Sequence, residues 1–147
     1  MAKDPDEKVD GPKVAAQILS SMRASDRERI VAAMKEKAPE VTVRVEANLF
    51  TFEDIADLTP QGLQLLLSET PQSDLTLALK KASTKLQTIF FANMTDRKCK
   101  SVKEDLSTLP PQPIQDVEDA QQRILKRLDE LRTAGRILTQ GKHDVWV

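Results

Sequence analysis

The sequence predicts an all-α protein. Two observations carry that reading. Four glycines and eight prolines punctuate the chain, nearly all where a helix would begin or end, and the residues between them form apolar stripes at three- and four-residue spacing. Asp10-Gly11-Pro12 opens the first helix, with Pro12 suited to its first turn and Val14, Ile18, Leu19 and Met22 as its stripe. Ser25-Asp-Arg-Glu28 has the S-x-x-E form of a capping box and leads into Ile30, Val31 and Met34. Ala38-Pro39-Glu40 starts a third helix whose inner face reads as Val41, Val45 and Leu49. Three short helices over residues 11–48 bury too little surface to stand alone, so this module is expected to stack, through Val41 and Val45, on another copy or another protein.

Asn48-Leu-Phe-Thr-Phe52 breaks the pattern and carries two of the four phenylalanines. Thr51 followed by Glu53 and Asp54 reads as a fresh helix start, so Leu49, Phe50, Thr51 and Phe52 form a junction predicted to hinge. Beyond it, Thr59-Pro60 and Thr70-Pro71 each pair a capping residue with a proline at the first helical position. They open helices expected over 61–69 and 72–81. Ser83 caps a helix containing Leu86, Ile89, Phe90 and Phe91; Thr95 caps the next, which Leu109-Pro-Pro-Gln-Pro113 closes. In the last and longest helix, Val117, Gln121, Ile124, Leu128 and Leu131 form a heptad-like stripe ending at Gly135. Residues 1–10 read as a loose, disordered start, and the tail alternates weakly, consistent with a small hairpin around Gln140-Gly141.

The bulk numbers describe a globular chain: 147 residues, 39% hydrophobic, 31% charged, net charge −1. The charge is unevenly placed. Residues 51–79 hold five acids and no base, whereas residues 80–103 hold seven bases and one acid, a net of +6. That basic stretch has no aromatics interleaved and no recognition helix, so nucleic-acid binding is not expected. One cysteine excludes an internal disulfide, and Cys99 lies on an apolar helix side, as a core residue would. No stretch approaches the roughly 18 apolar residues of a membrane span, and the start lacks a secretion signal, which predicts a soluble cytoplasmic protein.

The survey for catalysis is nearly empty. The one histidine, His143, lies in the tail, so no His/Cys metal cluster and no Cys–His or Ser–His pair can be assembled. Gly135 and Gly141-Lys142 have the wrong spacing for a phosphate loop, and no helix start follows. Asn93-Met94-Thr95 matches a glycosylation pattern, but Thr95 is better explained as a cap. No enzyme, metal, cofactor or small-molecule substrate is expected.

What remains is the helix after Thr95. At about 100° per residue, Cys99, Val102 and Leu106 fall on one side; Arg97, Lys100, Ser101 and Glu104 fall on the other, with Asp105 at the margin. That outer face carries both signs of charge. By periodicity alone it is a solvated helix back; a contact ridge is the sharper alternative.

Several runs together resemble one family. Leu49-Phe-Thr-Phe-Glu-Asp-Ile55 is similar to the Met-Phe-x-Phe junction of the bacterial flagellar motor switch protein FliG. The similarity continues through Asp74–Lys80, Ile89–Met94, Lys103–Leu106 and Asp116–Gln122, with order and spacing kept from Gly11 to Val147. The resemblance implies an armadillo-like superhelix: residues 11–48 as the armadillo-like module, 49–52 as the junction, and 53–147 as the six-helix domain facing the stator. It also implies a place at the cytoplasmic side of the inner membrane in the flagellar basal body, with other FliG copies and FliM as partners. The helix after Thr95 corresponds to the torque helix, whose charges meet the cytoplasmic loop of the stator protein MotA. Carried over by position, the basic residues are kept at Lys80 and Arg97 and the acidic pair as Glu104 and Asp105. A further family arginine falls at Pro113 and is lost, and the upstream double glycine is reduced to Asp10-Gly11.

Two roles follow from the resemblance: a rotor component that transmits torque and direction switching, or a FliG-like scaffold that assembles without generating torque.

Overall fold

A computed structural model describes residues 9–137. The expected tail hairpin at Gln140-Gly141, His143, and residues 1–8 of the expected loose start lie outside the described residues. Among the described residues, eight α-helices and one 3-10 helix form, and no strand. The chain divides between Phe50 and Thr51 into two compact units.

The first unit holds α1 (Gly11–Ser20), α2 (Ala24–Lys37) and α3 (Pro39–Asn48). Asp10 accepts from the Lys13 amide at 3.1 Å and caps α1 as its position predicts. The α2 start differs: the helix begins at Ala24 with Arg23 in the cap position, ahead of Ser25. Ala16, Leu19, Val45 and Leu49 form the core, with Met22, Ile30, Val31 and Met34 packed against it.

Of the inner face expected for α3, Val45 and Leu49 are buried as expected, and Val41 is not. Thr42, not Val41, faces inward, its hydroxyl donating to the Ala38 carbonyl at 2.7 Å, which satisfies a polar atom inside the module. Val41 is 45% exposed and Val45 is 0% exposed. Val45 thus has no surface left for a stacking partner, and Val41 does. On α1, Val14 and Ile18 of the expected stripe are also exposed, while Ala16 and Leu19 are buried.

The second unit holds the 3-10 helix Phe52–Asp57, then α4 (Pro60–Glu69), α5 (Gln72–Leu79), α6 (Thr84–Ala92), α7 (Asp96–Thr108) and α8 (Ile114–Thr133). Thr51 and Asp54 cap each other's backbone in a capping box. Thr59, Ser83 and Thr95 each accept an amide from the first turn of the helix they precede. Thr70 does not. It is buried, and its hydroxyl donates back to the Leu66 carbonyl at 2.6 Å, closing α4 instead of opening α5.

The core of this unit runs along α8, whose predicted stripe Val117, Gln121, Ile124, Leu128 and Leu131 is buried throughout. α5 packs on that stripe, and Gln121 satisfies its buried amide by donating to the Ala78 carbonyl at 3.0 Å. Gly135 follows α8 with φ +73°, the left-handed cap that glycine adopts without a Cβ penalty. Leu63, Leu66, Leu75, Leu79, Leu86 and Phe90 are among the other residues buried in this core, and α7 contributes Val102.

Candidate functional site: a charged ridge on α7

α7 starts where Thr95 accepts from the Lys98 amide at 3.1 Å, and Asp96 places a negative charge against its first turn. Its inner side is broader than Cys99, Val102 and Leu106. Val102 is fully buried, but Lys98 and Ser101 are also half-buried, because α4 and α5 reach them. Lys98 lays its stem along the unit and donates Nζ to the Leu67 carbonyl at the end of α4, 2.8 Å away. Ser101, expected on the outer face, instead accepts from Gln72 Nε2 at 2.9 Å.

The four predicted ridge charges have different surroundings. Arg97 and Glu104 are exposed, and their side chains form no hydrogen bond or ion pair with a described residue. Seven residues apart, they lie two turns along one face, about 10 Å by helix rise. Asp105 is exposed as well but accepts from Gln72 Nε2 at 2.8 Å through Oδ2. Lys80, at the C-terminal cap of α5, donates Nζ to the carbonyls of Pro110 at 3.1 Å and Leu109 at 3.4 Å. Lys103 completes the exposed side, its ammonium 5.1 Å from the centre of the Phe91 ring.

A shallow cavity of about 430 Å³ lies between α5 and the end of α7, lined by Ser73, Thr76, Leu77, Asp105, Leu109 and Pro110 among others. It holds no arrangement of acid, base and nucleophile. Among the described residues, no group of three His, Cys, Asp or Glu side chains could hold a metal ion, and no helix is long and apolar enough to cross a membrane. The exposed side of α7 thus presents charges of both signs to solvent. Sequence reasoning named Lys80, Arg97, Glu104 and Asp105 for this ridge, and it did not single out Gln72 or Lys98, which the structure joins to α7. No local signal marks Gln72, since its partners lie 29 and 33 residues away.

The sequence model of the FliG C-terminal domain matches residues 32–138. This chain belongs to the FliG C-terminal domain family. The flagellar motor switch protein FliG of Thermotoga maritima is 35% identical over 131 residues, and that of Vibrio cholerae 33% identical over 137. These alignments cover 89% and 93% of this chain and 39% of each relative. The chain therefore spans about two fifths of the length of the curated relatives it matches. Among solved structures, FliG residues 86–343 from H. pylori superimposes with a TM-score of 0.71 at 28% identity, covering 91% of this chain and 63% of that one. Full-length FliG from Aquifex aeolicus gives a TM-score of 0.59 at 28% identity, covering 88% of this chain and 40% of that one.

Proposed function

We propose that this chain is a rotor component of the flagellar motor switch, passing torque through contacts between the α7 ridge and the cytoplasmic loop of the stator protein MotA. One observation carries the reading: Arg97 and Glu104, of opposite charge, stand unpaired among the described residues on one exposed helix face in a member of the FliG family. The magnitudes suit repeated contact. An exposed ion pair contributes about 0–1 kcal/mol and is screened beyond roughly 10 Å at 0.1 M salt, so it forms and breaks as one surface passes another. Tight binding at this ridge would act as a brake. The role is mechanical, needs no catalysis, and places the chain on the cytoplasmic side of the basal body. The test is to reverse Arg97 and Glu104 together in the gene's own host and score swimming. Loss of motility supports the role, and full motility ends it.

The first unit would serve assembly. Val14, Ile18, Val41 and Val43 leave apolar surface exposed on a module with a small core, which fits stacking on another copy or on a switch partner such as FliM. The junction would hinge at the Phe50–Thr51 bond, since Leu49 is anchored in the core of the first unit and Phe52 in that of the second. Spin-label distances between the two units that stay single-valued under both rotation states would count against the hinge.

A second reading, a FliG-like scaffold that assembles without torque, is favoured by one residue. Pro113 occupies the cap position of α8 where an arginine is expected from the resemblance, which removes one positive charge beside the ridge. Normal motility after deletion of the gene would favour this reading.

A further inference from the structure

The ridge helix is gripped at two points by one short neighbour. Gln72 is the first residue of α5, and Lys80 is its C-terminal cap. Gln72 divides its amide hydrogens between Ser101 Oγ at 2.9 Å and Asp105 Oδ2 at 2.8 Å. Lys80 donates to the Leu109 and Pro110 carbonyls just past the end of α7, where the dipole is negative, and the Pro110 carbonyl also accepts from Gln112 Nε2 at 3.0 Å. Eight residues apart on one helix, these two grips lie about 12 Å from each other along its axis.

We propose that α5 is a clamp for the ridge, with Gln72 and Lys80 as positioning residues: Gln72 sets the direction of the Asp105 carboxylate, and Lys80 fixes the end of α7. The proposal rests on the ridge reading given above and changes the part played by Lys80 within it. To reach a partner, Lys80 must release two carbonyls, whereas Arg97 and Glu104 release nothing. Lys80, although exposed, is thus held at the end of α7. Gln72 carries no charge, so a ridge that worked by charge alone would not notice its loss. A ridge that works by placed charge would, because Asp105 would then sample several rotamers and the α7 end would loosen.

The test uses Gln72→Leu and Lys80→Met, with Lys80→Arg as the conservative variant and Ile124→Val as a control that trims the α8 core without touching α7. Two quantities are read: amide exchange at Asp105–Leu109 in the chain, and swimming speed after gene replacement. Gln72→Leu and Lys80→Met are expected to accelerate exchange roughly two- to ten-fold, the population change that one net hydrogen bond represents, and to slow swimming. Lys80→Arg keeps a donor of sufficient reach and is expected to restore both. Ile124→Val, at a matched loss of melting temperature, is expected to swim faster than Gln72→Leu. Parent-level exchange in Gln72→Leu, or swimming that tracks melting temperature equally in Gln72→Leu and Ile124→Val, overturns the clamp. Full motility on reversing Arg97 and Glu104 would instead sink the ridge reading, and the exchange measurement would still judge the clamp by itself.

Discussion

Phe52 and Phe90 meet edge to face, with ring centroids 5.8 Å apart and planes inclined by 66°. The contact ties the 3-10 helix to α6, and both rings are buried, Phe90 completely. It also makes Phe52 part of the core of the second unit.

Truncating Phe90 tests that anchor. Phe90→Ala is expected to cost about 3–5 kcal/mol, the range for a buried aromatic whose cavity cannot collapse fully. Chemical denaturation of the chain measures it. A cost below roughly 1 kcal/mol would mean that the site collapses or that the ring is not part of the core.

The cap of the ridge helix gives a smaller effect of known sign. Thr95→Ala removes the acceptor for the Lys98 amide and is expected to destabilise the second unit by about 1 kcal/mol. Thr95→Ser should recover most of that loss, and a serine variant as unstable as alanine would refute the capping account.

Two ion pairs in this chain should differ in worth. Glu118 is 1% exposed with Lys81 Nζ at 3.4 Å, whereas Arg29 and Asp26 are both well exposed at 3.1 Å. Lys81→Met is expected to cost about 1–3 kcal/mol, between the surface and fully buried cases, because Glu118 is buried and Lys81 is partly exposed. Arg29→Met should lie within about 0.5 kcal/mol of the parent. Equal costs in thermal melts would contradict this ordering.

Within the first unit, Ile18→Asp and Val45→Asp separate surface from core. Ile18 is 61% exposed and Val45 0%. Ile18→Asp is expected to leave stability within about 0.5 kcal/mol while weakening self-association, read by sedimentation. Val45→Asp buries an unpaired charge and should unfold the module. Unchanged association in Ile18→Asp would remove α1 from the stacking surface.

Much of the fold was legible because helix boundaries are local. Asp10, Thr51, Thr59, Ser83 and Thr95 each hold an amide or a capping partner within three residues, and the α8 stripe depends only on its own period. The same local information placed Arg97 and Glu104 on an exposed face.

What the sequence by itself determined is thus the set of helices, the caps at Asp10, Thr51, Thr59, Ser83 and Thr95, and the two-signed outer side of α7. Tertiary structure decided which neighbours each face meets. It turned Thr70 back onto α4, put Thr42 in place of Val41 inside the first unit, and gave Ser101 and Asp105 to Gln72 across 29 and 33 residues. It also spent the Lys80 ammonium on the end of α7. A helical period fixes directions around an axis to within one residue, whereas the partner on each side depends on packing between distant segments, which no local pattern records.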